Sequence, residues 1–393
     1  MSRIRTTGSA IALLLALVVL AFAFTGCGSG SKPAPTGGTY KIGAVLSTSN
    51  QSAPLGQPEQ NALLLLEKQI NAKGGINGNK VKFIIEDDAS DPASATVAIN
   101  KLITQDKVLA VIGSSSTGAT LAMVPTAEKD KVTLVCCAAG TKITDPVNPY
   151  IFRTPPTDSM ALTKVLEYLK NNLKVTKVAV LHDANAFGTG GADELVAKAP
   201  SYGITVVSRQ QYNSTDTDMT AQLTKIQQAN PQALVVWGTN PGPSSIAKNM
   251  QTLGMKIPYI GSHGIANQSF ISLAGPAANG VVFPGGRLLI PSTIPAGSPW
   301  ATAVADFSKA YQAEYNAPIN SFAAHGYDAG NIILDAIKTA GADPAAIRDQ
   351  VEKTKDFAGV DGVYTYTTKD HNGLTTNDLI MIKIDNGKWV EAK

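Results

Sequence analysis

Between residues 41 and 283 short apolar runs alternate with stretches of helical period, and the alternation is played through twice. The first series reads as strands at 41–46, 81–86, 108–113 and 132–136, with helices at 58–71, 92–106 and 118–129. Asp91-Pro92 supplies a side-chain cap and a first-position proline for the second of these helices. A second series follows Pro155-Pro156, with a helix from Asp158, a strand at 178–182, a helix from Phe187 and strands at 204–208, 233–238 and 281–283. Strands separated by helices of this length need crossover connections and therefore form parallel sheets. The expected fold class is α/β, with two doubly wound parallel-sheet lobes. A chain of 393 residues also exceeds what one core fills. The tail differs: helices at 301–315 and 321–340 precede strands at 363–366, 378–385 and 388–390. Asn386-Gly387 between the last two is a hairpin turn, so antiparallel edge strands are expected there.

The N-terminal segment reads as address and tether. Arg3 and Arg5 precede an apolar run from Ala10 to Phe24 that is shorter than the roughly 20 residues of a spanning helix. A basic start, a short apolar middle and small residues before a cut make a secretory signal over 1–26. Phe24-Thr25-Gly26-Cys27 resembles a bacterial lipobox, which makes Cys27 the lipidated first residue of the mature chain. Residues 28–38, rich in Gly, Ser and Pro, have the composition of a flexible leash. The chain is thus expected to be exported and lipid-anchored to the outer face of a bacterial cytoplasmic membrane, or held in a periplasm.

Of three cysteines, Cys27 belongs to the lipobox, leaving the adjacent pair Cys136-Cys137. Two buried thiols fit that pair better than a strained disulfide, and neighbours without a nearby histidine lack metal-site spacing. The charged fraction of 16% and formal charge of +3 include no basic stripe interleaved with aromatics, so nucleic acid is not an expected partner. The four histidines (His182, His263, His325, His371) show no metal-binding spacing, and neither a nucleophile elbow nor a P-loop is present. No enzyme activity, metal or cofactor is expected.

In open parallel sheets ligands bind beyond the carboxyl ends of strands. Four loops at such ends carry unusual side chains: Ser114-Ser115-Ser116-Thr117-Gly118, Asp183-Ala184-Asn185-Ala186-Phe187, Gly238-Thr239-Asn240-Pro241 and Gly261-Ser262-His263-Gly264. Hydroxyls and free N–H groups at a helix start suit a carboxylate; the same hydroxyls also serve as plain helix caps. The glycines from Gly188 to Gly191 echo a dinucleotide loop, but Asp193 stands where its third glycine belongs.

From Lys41 to Lys393 the chain resembles the leucine/isoleucine/valine-binding proteins, the type I periplasmic-binding fold serving ABC importers. The resemblance is carried by "EKQINAKGGINGNKV", "EDDASDP", "AVIGSSSTG", "PYIFRT", "KVAVLHDANAFGTG" and "DTDMTAQLTKI". It implies two lobes joined by a three-strand hinge: 39–156 with 287–374, and 157–286 with 375–393, crossing near Pro156, Gly286 and Leu374. It implies capture of a small ligand for an ABC permease and its ATPase; a membrane-tethered sensor of the same fold is the alternative. It also places ligand contacts at Ser116 and Thr117 for a carboxylate, at Cys137 and Ala139 where a carbonyl and a threonine usually hold an amino acid, and at Phe187, Thr239 and Leu55. His263 stands where the family carries the glutamate that neutralises the ligand's ammonium. A buried ammonium without a negative partner is very costly. The expected ligand is therefore an aromatic or other organic acid lacking an α-amino group, ahead of an aliphatic amino acid with Asp183 as a substitute partner.

Overall fold

The structure, a computed structural model, describes residues 37–393; the signal segment, Cys27 and most of the leash lie outside the described residues. Two sheets organise the chain. The first is wholly parallel, in the order β2-β1-β3-β4-β5. Its strands are β1 (Thr39–Leu46), β2 (Lys80–Asp87), β3 (Val111–Gly113), β4 (Leu134–Cys136) and β5 (Ile151–Arg153). The second repeats that order as β7-β6-β8-β9-β10 and adds an antiparallel pair at its far side, β13 next to β10 and β14 outermost. Its strands are β6 (Lys177–Asp183), β7 (Thr205–Tyr212), β8 (Ala233–Trp237), β9 (Tyr259–Gly261), β10 (Val282–Gly286), β13 (Leu379–Asp385) and β14 (Lys388–Glu391). The remaining strands, β11 (Phe357–Ala358) and β12 (Val363–Tyr364), form a separate two-stranded ribbon.

Both sheets are covered on both faces, which is why their central strands are continuous apolar runs rather than alternating ones. Along β3 and β4, Ile112 and Val135 enter one apolar cluster while Val111 and Leu134 enter the opposite one. In β6 and β8, Leu181 and Val236 face one way and Val180 and Val235 the other. Successive side chains of a strand point to opposite faces, and here each face has its own helices. Helix α1 (Ala53–Ala72) packs on the long helix Ser321–Ala340 beside the first sheet. The Asp91 cap forms as expected, its Oδ1 accepting from Ser94 N at 2.8 Å ahead of α2 (Pro92–Lys101).

The tail departs from expectation in three ways. The strand expected over 363–366 shrinks to the ribbon and joins neither large sheet. Strand β13 is no edge strand, because it is paired on both sides. A helix at Pro344–Glu352 follows an Asp343 cap and a first-position proline, the same start signal that marks α2. The short strands β5 and β9, three residues each, had no recognisable run of their own.

Asp328 on the long helix is buried and accepts from Val360 N, Asp361 N and the Tyr364 hydroxyl, yet burial pushes its pKa up to about 7. A folded pKa above the unfolded one contributes stability that is complete at low pH and is lost as pH rises through about 7. Melting temperatures of the parent minus those of Asp328→Asn are expected to fall between pH 5 and pH 8. A flat difference would mean that Asp328 is ionised throughout.

Candidate functional site

In each sheet the strand order reverses direction once, between β1 and β3 and between β6 and β8. A crevice opens at such a point beyond the carboxyl ends of the strands. The two crevices face one another and form a single cavity of about 280 Å³. Leu55 reaches it from the first turn of α1, Ser116 and Thr117 from the loop after β3, and Cys137 and Ala139 from the loop after β4. Phe187 reaches it from the start of the helix Ala186–Lys198, Thr239 from the loop after β8 and His263 from the loop after β9. All eight residues expected from the resemblance therefore border one space, and Asp183 at the end of β6 borders it too.

Helix α3 (Thr117–Lys129) starts against this cavity because of Gly113. Its φ is +105°, and a Cβ there would lie 1.9 Å from the Val45 carbonyl oxygen, so only glycine lets the chain leave β3 here. Ser116 caps α3, its Oγ accepting from Ala119 N at 3.4 Å, so capping and lining fall on one residue. The buried Thr117 Oγ1 has no hydrogen-bond partner among the described residues. Across the cavity, Asn185 caps α5 (Ala186–Lys198) by accepting from Gly188 N at 2.8 Å. Labels run in chain order, so α4 is the intervening helix Asp158–Asn171. Two helix N-termini, each with N–H groups unused by the helix, thus meet the same small volume. Their partial positive charge favours an anion between them.

The far wall around His263 is aromatic. His263 is only 8% exposed, with Phe187 5.5 Å away and Trp237 5.8 Å away, both edge-on. Among the described residues neither ring nitrogen has a hydrogen-bond partner, and Asp158 Oδ1 lies 3.9 Å from Nε2. Burial, reinforced by His325 and Arg153, lowers the His263 pKa to about 3, so the ring is neutral at physiological pH. Asp158 is engaged instead by the Trp237 indole N–H at 3.1 Å. Asp183 accepts from the Ser214 hydroxyl at 2.7 Å and Asn185 N at 3.1 Å, and burial raises its pKa.

Contacts hold the two sides together across the cleft. Asn267 Nδ2 donates to the Pro54 carbonyl at 2.8 Å, and the Thr141 hydroxyl donates to Glu194 Oε2 at 3.0 Å. Behind the lining, fully buried Arg153 donates to the Ala138 and Gly140 carbonyls and to Thr144 Oγ1, fixing the loop that carries Cys137 and Ala139. Cys136 and Cys137 are buried free thiols. Reading the sequence missed Phe322 and His325, which enter the cavity from the helix Ser321–Ala340. A histidine on that helix's apolar face was the available signal. It also missed Glu59, a fully buried acid bonded to Ser115.

Among the described residues no helix is long and apolar enough to cross a membrane. The family profile described as periplasmic binding protein matches residues 39–388. The Leu/Ile/Val-binding protein homolog 3 of Brucella melitensis is 26% identical over 355 residues, covering 90% of this chain and 92% of the relative. Among solved structures, the branched-chain amino acid transporter substrate binding protein of Streptococcus pneumoniae, in complex with isoleucine, is 31% identical. It superimposes with a TM-score of 0.81 over 90% of this chain and 99% of that one. An extracellular ligand-binding receptor from Rhodopseudomonas palustris is 29% identical with a TM-score of 0.84, over 90% of this chain and 99% of that one. The chain belongs to the periplasmic binding protein family, in its leucine/isoleucine/valine-binding branch, with the type I two-lobed fold.

Proposed function

We propose that this protein is the extracytoplasmic solute-binding component of an ABC importer, capturing one small carboxylate-bearing molecule by closing its lobes. The lobes are 39–156 with 287–374, and 157–286 with 375–393, swinging about crossings near Pro156, Gly286 and Leu374. Lipidated Cys27 and the leash keep the protein beside the permease and its ATPase. The acid's carboxylate docks on Ser116, Thr117 and the start of α3; closure then brings Phe187, Thr239 and His263 over the rest of the ligand.

The observation that carries this reading is the pairing of two helix N-termini with a neutral, unpartnered His263 across one cavity. The first end suits a carboxylate and the second an uncharged group, as in an aromatic or other organic acid without an α-ammonium. The second reading, an aliphatic amino acid, is supported by Asp183 at the cavity wall and by the isoleucine of the Streptococcus pneumoniae structure. Calorimetric titration with leucine, valine and benzoate-type acids separates them. Benzoate or a substituted benzoate is expected to bind at least tenfold more tightly than leucine; the reverse order would move the ligand class to amino acids.

A further inference from the structure

The wall behind the serine loop holds a buried acid that does not border the cavity. Glu59 lies on α1, fully buried, with one carboxyl oxygen, Oε2, hydrogen-bonded to Ser115 Oγ and the other, Oε1, without a hydrogen-bond partner among the described residues. Ser115 itself borders the cavity and is 2% exposed. Its Oγ also accepts the backbone N–H of Ser47 at 3.0 Å.

Apart from the Ser115 hydroxyl, whose hydrogen bond favours the ionised form, the groups facing Glu59 give it no reason to be ionised. Asp88, at the end of β2, adds a second acid, and the Cys136 and Cys137 thiols come from the end of β4. The helix Ser321–Ala340 contributes Gly326, whose Cβ position would lie 3.0 Å from the Glu59 backbone. Among the described residues no Lys, Arg or His forms an ion pair with Glu59. A buried carboxylate with no cation and one empty oxygen is far costlier than the neutral acid. Burial, opposed by the Ser115 hydrogen bond and aided by Asp88, drives its pKa well above the usual carboxylate range.

The proton's position then follows by counting. The ionised acid would accept the Ser115 hydroxyl through Oε2; in the neutral acid that bond reverses, since Oε1 has no partner among the described residues and the acid proton then lies on Oε2, donated to Ser115 Oγ. A hydroxyl has two acceptor sites and one hydrogen. Glu59 fills one acceptor site and Ser47 N–H the other, so the Ser115 hydrogen has only the cavity to point to. Resting on the carboxylate reading above, we propose that Glu59 is a positioning residue: a neutral acid that holds Ser115 as an obligate hydrogen-bond donor to the ligand's carboxylate, beside Ser116 and Thr117. Were Glu59 ionised, it would take the Ser115 hydrogen for itself and set a negative charge behind an anion site. Its neutrality therefore both supplies a donor and removes a repulsion.

Two measurements on the full chain test this. Infrared difference spectra of the unliganded protein at pH 7, parent minus Glu59→Gln, read the protonation state with no ligand involved. A carboxylic-acid carbonyl band lost in the variant is expected; loss of a carboxylate band overturns the proposal. Calorimetric titration with benzoate and with leucine supplies the second arm. Ser115→Ala and Glu59→Met are each expected to weaken the probe that binds by about tenfold, the loss of one hydrogen bond to a charged group. The double variant should be no weaker than either single, since both remove the same donor. Gln at position 59, whose amide N–H donates to Ser115 Oγ, should restore binding to within about twofold of the parent. Equal losses for Gln and Met, or additive losses in the double variant, overturn the proposal. Failure of the parent to bind either probe would count against the ligand reading, with the infrared result still deciding the state of Glu59.

Discussion

Glutamate in place of His263 is expected to turn the cleft toward ammonium-bearing ligands, raising the affinity for leucine relative to benzoate by about 100-fold, the scale of one or two charge-assisted hydrogen bonds. On the proposed binding mode the ligand's second polar group would meet a neutral imidazole, walled by Phe187 and Trp237 and only 8% exposed. An ammonium brought there would lose its hydration and find no fixed negative charge at that wall, while an uncharged group loses little. The substituted glutamate would lie close to Asp158, which sits 3.9 Å from the present ring. Burial holds the pKa of Asp158 well above the ordinary carboxylate range, so the negative charge is expected on the less buried, cavity-facing glutamate. That charge is what an ammonium needs and what a benzoate-type acid avoids. Calorimetry with both probes on parent and variant gives the ratio. An unchanged ratio would place the ligand's second polar group away from position 263 and return attention to Asp183.

The parts of this molecule that were legible in advance are those where periodicity and local chemistry agree. The strands of both sheets are apolar runs flanked by helices with recognisable caps, and the loops after β3, β6, β8 and β9 stand out because polar residues follow buried strands. Convergence of those loops on one cavity follows from sheet topology, which the alternation of elements already implied. The supporting residues were harder to see because their roles depend on contacts distant in the chain. Arg153 is a basic residue at the end of a three-residue strand, and only the fold shows it holding carbonyls of the loop after β4. Glu59 left a trace: with Leu55, Ala62, Leu63 and Leu66 it falls on the buried stripe of α1, so one charged residue interrupts an apolar face. A charge on such a stripe signals a buried partner, but sequence cannot say that the partner is Ser115. Phe322 and His325 were missed because the helix that carries them follows the second series in the chain yet packs on α1 of the first.

Gly191→Ala is expected to destabilise the protein by about 3 kcal/mol, the upper range for overpacking a closed core, and to weaken ligand binding at the same time. The glycines from Gly188 to Gly191 echo a dinucleotide loop in sequence, but the structure gives Gly191 another task. A Cβ at this position would lie 2.0 Å from Trp237 Nε1 and 2.2 Å from Cδ1. The indole cannot retreat, because Trp237 is fully buried at the end of β8 and its N–H is committed to Asp158 at 3.1 Å. Only the helix can give way, and the N-terminal turn of that helix is one of the two that face the cavity. Displacing it by even a fraction of an ångström moves Phe187 and the Asn185 cap, while pressure on Trp237 is passed to His263 at 5.8 Å. Stability and affinity are therefore coupled at this one Cα. Urea denaturation reads the first and calorimetric titration of the folded variant the second. A variant as stable as its parent would show that α5 has room to slide; one that is destabilised yet binds unchanged would show that the turn bordering the cavity is held independently of its packing on Trp237.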